Sequence, residues 1–401
     1  MTHRNIISHK IAQQEGFVSL FTVIFFMLFI SVITIGFLRI MAIEQQQALD
    51  NDLTASALAA AESGVEDGKR ALLKYANPLP TDPPTLHGDL TTALSSTSCN
   101  ALFTSPSIST ALNLRNNGSI TGVAGLNQYY TCLSVNINSP DYISSASAGK
   151  SDFIPLTPEI GKDFDQVKVS WHLTSNSTGT DGDGVPARYA PDFSLPQVTG
   201  GVPANSWTAQ GYPAYLRVEV YGYANGSFDR TKIDDRTRTI FLVPNASTNA
   251  AAVDEFTPVN LGLADPRGLD QPKTGVQGVK CNGTPPSVPI GTYACAATLE
   301  LPTDPTLRGS NNHYFVRITP LYGSTHFKLA LEQAGVAVNF GGVQPIIDVT
   351  GRAGDVFRRV QARVRLDSIG DVPEYTVESA DTICKNMQVA DGVFYQPNNC
   401  P

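Results

Sequence analysis

FVSLFTVIFFMLFISVITIGFL, residues 17–38, contains no Asp, Glu, Lys, Arg or His. As a helix rising ~1.5 Å per residue it would reach roughly 33 Å, enough to cross a hydrocarbon core of about 30 Å. Ser31 and Thr34 within it can hydrogen-bond to carbonyls of their own helix. Arg4 and Lys10 precede the stretch, and the first acid after it is Glu44. The positive-inside rule then places the N-terminus in the cytoplasm and everything after Arg39 outside a cytoplasmic membrane crossed once. An ordinary secretory signal has a shorter apolar core, and its small-residue mimic here, Ala57-Leu58-Ala59, lies about twenty residues beyond the span.

The following stretch, residues 39–76, has no proline, and small or apolar residues recur at Leu49, Leu53, Ala57, Ala60, Gly64 and Leu72. That period predicts an amphipathic continuation of the same helix, about 60 residues and roughly 90 Å in all. Pro78, Pro80, Pro83 and Pro84 end it. Ala60, Ala61 and Gly64 leave a low surface on which another element can lie closely, while Glu62 and Glu66 share the opposite side.

Just before the span stands Gln13-Gln14-Glu15-Gly16-Phe17-Val18, and just after it Ala59-Ala60-Ala61-Glu62-Ser63-Gly64-Val65-Glu66-Asp67. The first resembles a type IV prepilin leader, and the second the Ala-Ala-Glu-(Ala/Ser)-Gly signature of PilX-like minor pilins. The resemblance covers residues 10 to 76. It implies that a prepilin peptidase cuts after Gly16 and methylates Phe17. It also implies that the stem packs through Ala60, Ala61, Glu62 and Gly64, and that the partners are other pilins and the pilus assembly platform. Major pilins carry a glutamate at the fifth mature residue; here Phe21 stands there. The resemblance therefore implies a minor, initiating or tip role rather than a bulk filament subunit. Two alternatives stay open: a tip pseudopilin of a type II secretion system, and a membrane-anchored adhesin or binding module outside any filament.

The expected fold class is α+β, a long N-terminal helix followed by an antiparallel β-rich exported head. Gly, Pro, Asn, Ser and Thr punctuate short alternating runs after Thr81, and strands are predicted over 166–173, 215–223, 236–243, 314–321, 327–331 and 358–366. Residues 244–278 hold Pro258, Pro266 and Pro272 with few strand signals, which suggests a linker between two lobes, 77–243 and 279–401. These complete the organisation as 1–16 leader, 17–38 membrane span and 39–76 amphipathic stem. A faint echo between 215–222 and 315–323 fits either an internal duplication or two strands in alike surroundings. All six cysteines, Cys99, Cys132, Cys281, Cys295, Cys384 and Cys400, follow the span, where an even count suggests disulfides; neighbour pairing gives short loops, but six cysteines allow 15 connectivities.

With 36 acids against 28 Lys and Arg, the net charge of −8 disfavours a general nucleic-acid coat, so any contact with DNA must be local. The six histidines are scattered without metal-ligand spacing, and no catalytic or phosphate-binding motif is complete, so neither an enzyme nor a cofactor is expected. Asp181-Gly182-Asp183-Gly184 offers oxygen ligands for calcium through Asp181 and Asp183, though such runs also make plain turns. On the predicted strand, Arg359, Arg363 and Arg365 share one face, a row that could meet an acidic partner or serve as a charged edge against aggregation. A host, cell-surface or DNA ligand for the head is left open.

Overall fold

A computed structural model describes residues 15–112, 114, 128–173, 213–224, 237–246, 252–261, 275–281, 292–301, 312–366, 389–390 and 393–394. Helix α1 (Glu15–Ala76) leads to α2 (Leu86–Leu94), the 3-10 turn Ala101–Phe103 and α3 (Pro106–Leu112). Strands follow as β1 (Gln128–Ser139), β2 (Tyr142–Ala146), β3 (Asp152–Leu156), β4 (Gln166–Leu173), β5 (Tyr215–Ala224) and β6 (Arg238–Ala246). The remainder are β7 (Val259–Asn260), β8 (Val276–Cys281), β9 (Tyr293–Glu300), β10 (Asn312–Leu321), β11 (Thr325–Gln333) and β12 (Val336–Val338), then β13 (Phe340–Ala353), β14 (Val356–Arg363), β15 (Val389–Ala390) and β16 (Val393–Phe394). The chain forms two compact units, Met1–Val135 with Ile347–Ala362, and Asn136–Ile346 with Arg363–Pro401.

In the first unit α1 runs unbroken for 62 residues. It is long and apolar enough to cross a membrane, and the apolar side chains from Leu20 to Ile43 are exposed. Ser31 and Thr34 donate to the carbonyls of Met27 and Ile30 at 2.7 and 2.8 Å, so the helix itself satisfies both hydroxyls. Past Ala76 the prolines end the ladder, and Lys74 pairs with Asp82 at 2.5 Å while Tyr75 stacks on His87 at 4.9 Å. Leu86, Leu90 and Leu94 of α2, four apart and therefore on one face, are buried with Ile108 and Leu112 of α3. Asp89 accepts hydrogen bonds from Ser107 and from Ser105, which hold its carboxyl below the usual range and tie α2 to the start of α3. Helical structure after Thr81 was not expected from the sequence; nine- and seven-residue helices are too short to show a period.

In the second unit, eleven strands among the described residues join one sheet in the order β12-β11-β4-β9-β8-β6-β5-β10-β3, with β2 against β11 and β7 against β9. Its pairings are antiparallel except β6 with β8 and β7 with β9. Alternate residues build one core, including Val167, Val169 and Trp171, Leu216, Val218 and Val220, and Phe327, Leu329 and Leu331. Trp171 satisfies its indole by donating to the carbonyl of Ala214 at 2.9 Å.

The structure departs from the expected pair of lobes. Strands from 77–243 and from 279–401 interleave in this single sheet, and the supposed linker supplies the end of β6, all of β7 and the start of β8. The echoing segments are neighbours: β5 pairs with β10, Tyr215 opposite Leu321 and Glu219 opposite Arg317. Their likeness matches the shared demand of adjacent strands for one buried and one polar face.

His172 interrupts β4 at φ 66°, buried, with its amide donating to Thr325 Oγ1 at 3.2 Å. Burial pushes its pKa down to about 4, while the unfolded chain titrates near 6.5. The unfolded chain then binds the extra proton between these values, so this contribution is complete above about pH 6.5, falls as the pH drops to about 4 and is flat below. It amounts to roughly 3 kcal/mol. Unfolding of the full chain in detergent should show it: across this window, His172→Asn, which tolerates the positive φ, should flatten the pH slope by up to about 1.4 kcal/mol per unit.

Candidate functional site: the small-residue face of the stem helix

The face of α1 that the sequence marks by its small residues is where strands of the first unit press against the helix. Ala57, Ala60, Ala61, Gly64 and Gly68 are buried, whereas Glu62 and Glu66 are exposed. A Cβ placed on Gly64 would lie 2.5 Å from Val349 Cγ1 and 3.1 Å from the Tyr130 ring; one on Gly68 would lie 2.8 Å from Ile347 Cγ2. The closest approach comes from the other side. A Cβ on Gly351 of β13 would collide with the carbonyl oxygen of Ala57 and sit 2.5 Å from the amide nitrogen of Ala61. A strand backbone here lies directly on a helix backbone, which only small residues on both partners permit.

Polar groups at the margins fix the register. Gln128 Nε2 donates to the carbonyl of Ser56 at 2.9 Å, and Arg358 Nη2 donates to Thr54 Oγ1 at 3.1 Å. Asp67, only 4% exposed, accepts from Tyr130 Oη at 2.8 Å and pairs with Arg70, whose other nitrogen donates to the carbonyl of Leu112 at 3.2 Å. That carbonyl ends α3, so one guanidinium neutralises a buried carboxylate and caps a helix C-terminus. Asp67 and Tyr130 were not singled out from the sequence. An acid that continues the small-residue face three positions after Gly64 was the available signal, since a carboxylate there must find a buried partner.

Cys99 and Cys132 are bonded, Cα to Cα 5.0 Å, and anchor the turn before α3 to β1. Beside them Asn100, at φ 63°, exchanges hydrogen bonds with β1: its amide side chain donates to the Thr131 carbonyl and accepts from the Leu133 amide, both at 3.0 Å. In the second unit Cys281 and Cys295 are bonded across directly paired positions of β8 and β9. Cys384 and Cys400 lie outside the described residues, as do Asp181 and Asp183. Gly16 and Phe17 lie in the first turn of α1.

The arginine row is occupied from within. Arg359 pairs with Asp348 in the first unit, and the carboxylate raises the guanidinium pKa. In the second unit Arg363 pairs with Asp141 at 2.8 Å and Arg365 with Asp152 at 2.7 Å. Strand β14 also stops at Arg363, two residues short of Arg365. These three side chains neutralise the protein's own acids instead of forming a free cationic strip. Among the described residues no group of three or more His, Cys, Asp or Glu is placed to hold a metal ion.

No family model and no curated protein matches this chain.

The packing makes unequal demands on its residues. Gly351→Ala should destabilise the first unit by about 3 kcal/mol, because its new methyl would meet helix backbone, and Gly64→Ala by less, because its methyl would meet side chains, Val349 and Tyr130, instead of backbone. Glu62→Gln, on the exposed side, should stay within about 0.5 kcal/mol. Denaturant unfolding monitored by protease resistance near residues 57–68 would rank them.

Proposed function

We propose that this chain is a PilX-like minor pilin, a low-abundance or tip component that promotes type IV pilus assembly, adhesion or DNA uptake. In this reading prepilin peptidase removes residues 1–16 and methylates Phe17, and the mature helix waits in the cytoplasmic membrane with the bulk of the chain outside. The assembly platform then moves it among other pilins, and the β-rich part meets a host, cell-surface or DNA ligand. The role is structural and needs neither catalysis nor a cofactor.

The observation that carries the reading is the division of α1 into two environments. From Leu20 to Ile43 its apolar side chains are bare on every side, while Ala57, Ala60, Ala61, Gly64 and Gly68 form a face buried under strands. A helix so divided can leave a bilayer for another apolar surround, such as a bundle of like helices, without disturbing the fold at its far end. Phe21 supports the minor role, since it offers no carboxylate to neutralise a neighbour's amino terminus.

Intact-mass analysis of the protein extracted from membranes of cells with active prepilin peptidase tests the reading. The expected species begins at a methylated Phe17. A chain that keeps residues 1–16 would overturn the pilus route and leave an anchored surface protein.

A further inference from the structure

Among the described residues the sheet β1-β13-β14 has two edges, and only one of them is sealed. Along β1 the amide of Asn100 donates to the Leu133 carbonyl at 2.7 Å, and its side chain holds the Thr131 carbonyl and the Leu133 amide. The sheet of the second unit blunts both of its edges. There β12 is only three residues long, and β3 contains Pro155 and lends its Phe153 carbonyl to Arg365. Strand β14 has none of these devices. It runs eight residues without a proline, and no backbone partner lies on its outer side among the described residues.

The register of the hairpin decides which groups are left over. Two residues, Gly354 and Asp355, link β13 to β14, so Ala353 stands opposite Val356, Arg352 opposite Phe357 and Gly351 opposite Arg358. The Arg352 guanidinium accordingly lies 5.3 Å from the centre of the Phe357 ring. The same register continues to Val364, whose amide donates to the Pro345 carbonyl at 3.0 Å. Hydrogen bonds to β13 therefore fall on every second residue, Arg358, Val360 and Ala362, and the N–H and C=O of Phe357, Arg359 and Gln361 point away from the sheet. All three of these residues are exposed. Arginines can guard such an edge, but here both are turned aside: Arg359 lies on Asp348, and Arg358 reaches Thr54 of the stem at 3.1 Å.

Only an extended chain can add to this edge, and the surroundings specify its side chains. Asp348 neutralises Arg359, whereas Arg358 meets only the hydroxyl of Thr54 and has no acid partner among the described residues. Leu58, one turn above Thr54 on the same flank of the helix, is 42% exposed, and Phe357 on the outer face is 51% exposed. A strand about 4.8 Å beyond β14 would shelter both. A second copy of this chain fits poorly: rooted in the same membrane, it would run its β14 in the same direction and, in register, set arginine beside arginine. We infer that the outer edge of β14 is a docking edge for an extended, acidic segment of another protein, which adds to the sheet as a fourth strand. Its backbone pairs with Phe357, Arg359 and Gln361, an acid meets Arg358, and apolar side chains cover Leu58 and Phe357. This edge is available whether or not the chain enters a filament.

Hydrogen exchange resolved to single residues, on the full chain in detergent micelles, tests the edge first without a ligand. The amides of Phe357, Arg359 and Gln361 should exchange freely, and those of Arg358 and Val360 should be protected. Protection of the first three in the free chain would mean that the edge is already closed and would overturn the inference. The probe is then the peptide acetyl-Thr-Val-Thr-Val-Thr-Glu-Thr-Glu-amide at millimolar concentration, which should slow exchange at the three open amides. Gln361→Pro removes an N–H that the fold does not use, so Arg358 and Val360 should stay protected while the peptide binds at least about tenfold more weakly; Gln361→Ala should bind it as the parent does. Arg358→Ser should weaken binding about threefold. The inference fails if the peptide leaves the three amides unprotected, if Gln361→Pro binds it undiminished, or if a peptide with Lys in place of Glu binds equally well.

Discussion

The first unit depends on one contact between backbones, where Gly351 of β13 lies on the Ala57 carbonyl and Ala61 amide of the stem. Helix and strand usually meet through side chains about 10 Å apart; here the strand interposes none and the helix only the methyls of alanines. The approach draws Val349 and Ile347 into the spaces left by Gly64 and Gly68, and brings Tyr130 over Asp67. A larger residue at Gly351 would lift the strand from the helix, whereas one at Gly64 or Gly68 would first press on the side chains of Val349, Tyr130 and Ile347. The buried carboxylate is tolerable only because Tyr130 and Arg70 reach it, so the polar cluster follows from the close packing.

The same helix carries a second, opposite demand. Between Leu20 and Ile43 large apolar side chains face outward all round, an arrangement that water would penalise by roughly 1.5–3 kcal/mol for each one fully exposed. Such a surface requires an apolar surround. Between these regions stands a neck, residues 44–52, exposed and acidic, with Leu49 bare on it. Leu49 continues the period of Leu53 and Ala57 but is exposed, with no strand above it among the described residues, because β13 ends beside Leu53.

Strand signals were legible where alternation was clean. The predicted 166–173 coincides with β4, and 314–321 falls within β10. The two long strands that matter most to the stem, β1 and β13, were not legible. In β13, Gly341, Gly342, Pro345 and Gly351 read as loop residues, yet Gly351 is there for the helix and Gly341 for the Pro158 carbonyl, 2.8 Å from where its Cβ would lie. In β1, Asn136, Asn138 and Ser139 obscure the pattern on an edge strand. The arginine row was correctly ordered in sequence, but its meaning lay in Asp348, Asp141 and Asp152, acids distant along the chain.

Sequence alone determined the stem: an uncharged stretch long enough to cross a bilayer, a continuous helix ended by prolines, and a face of small residues ready for close packing. These follow from local spacing, which period and helix rise convert directly into geometry. Only the tertiary structure decided what lies on that face, which cysteines among Cys99, Cys132, Cys281 and Cys295 pair, and that one interleaved sheet replaces two successive lobes. Each of those is a contact between residues far apart in the chain, chosen by packing and charge pairing that no local pattern records.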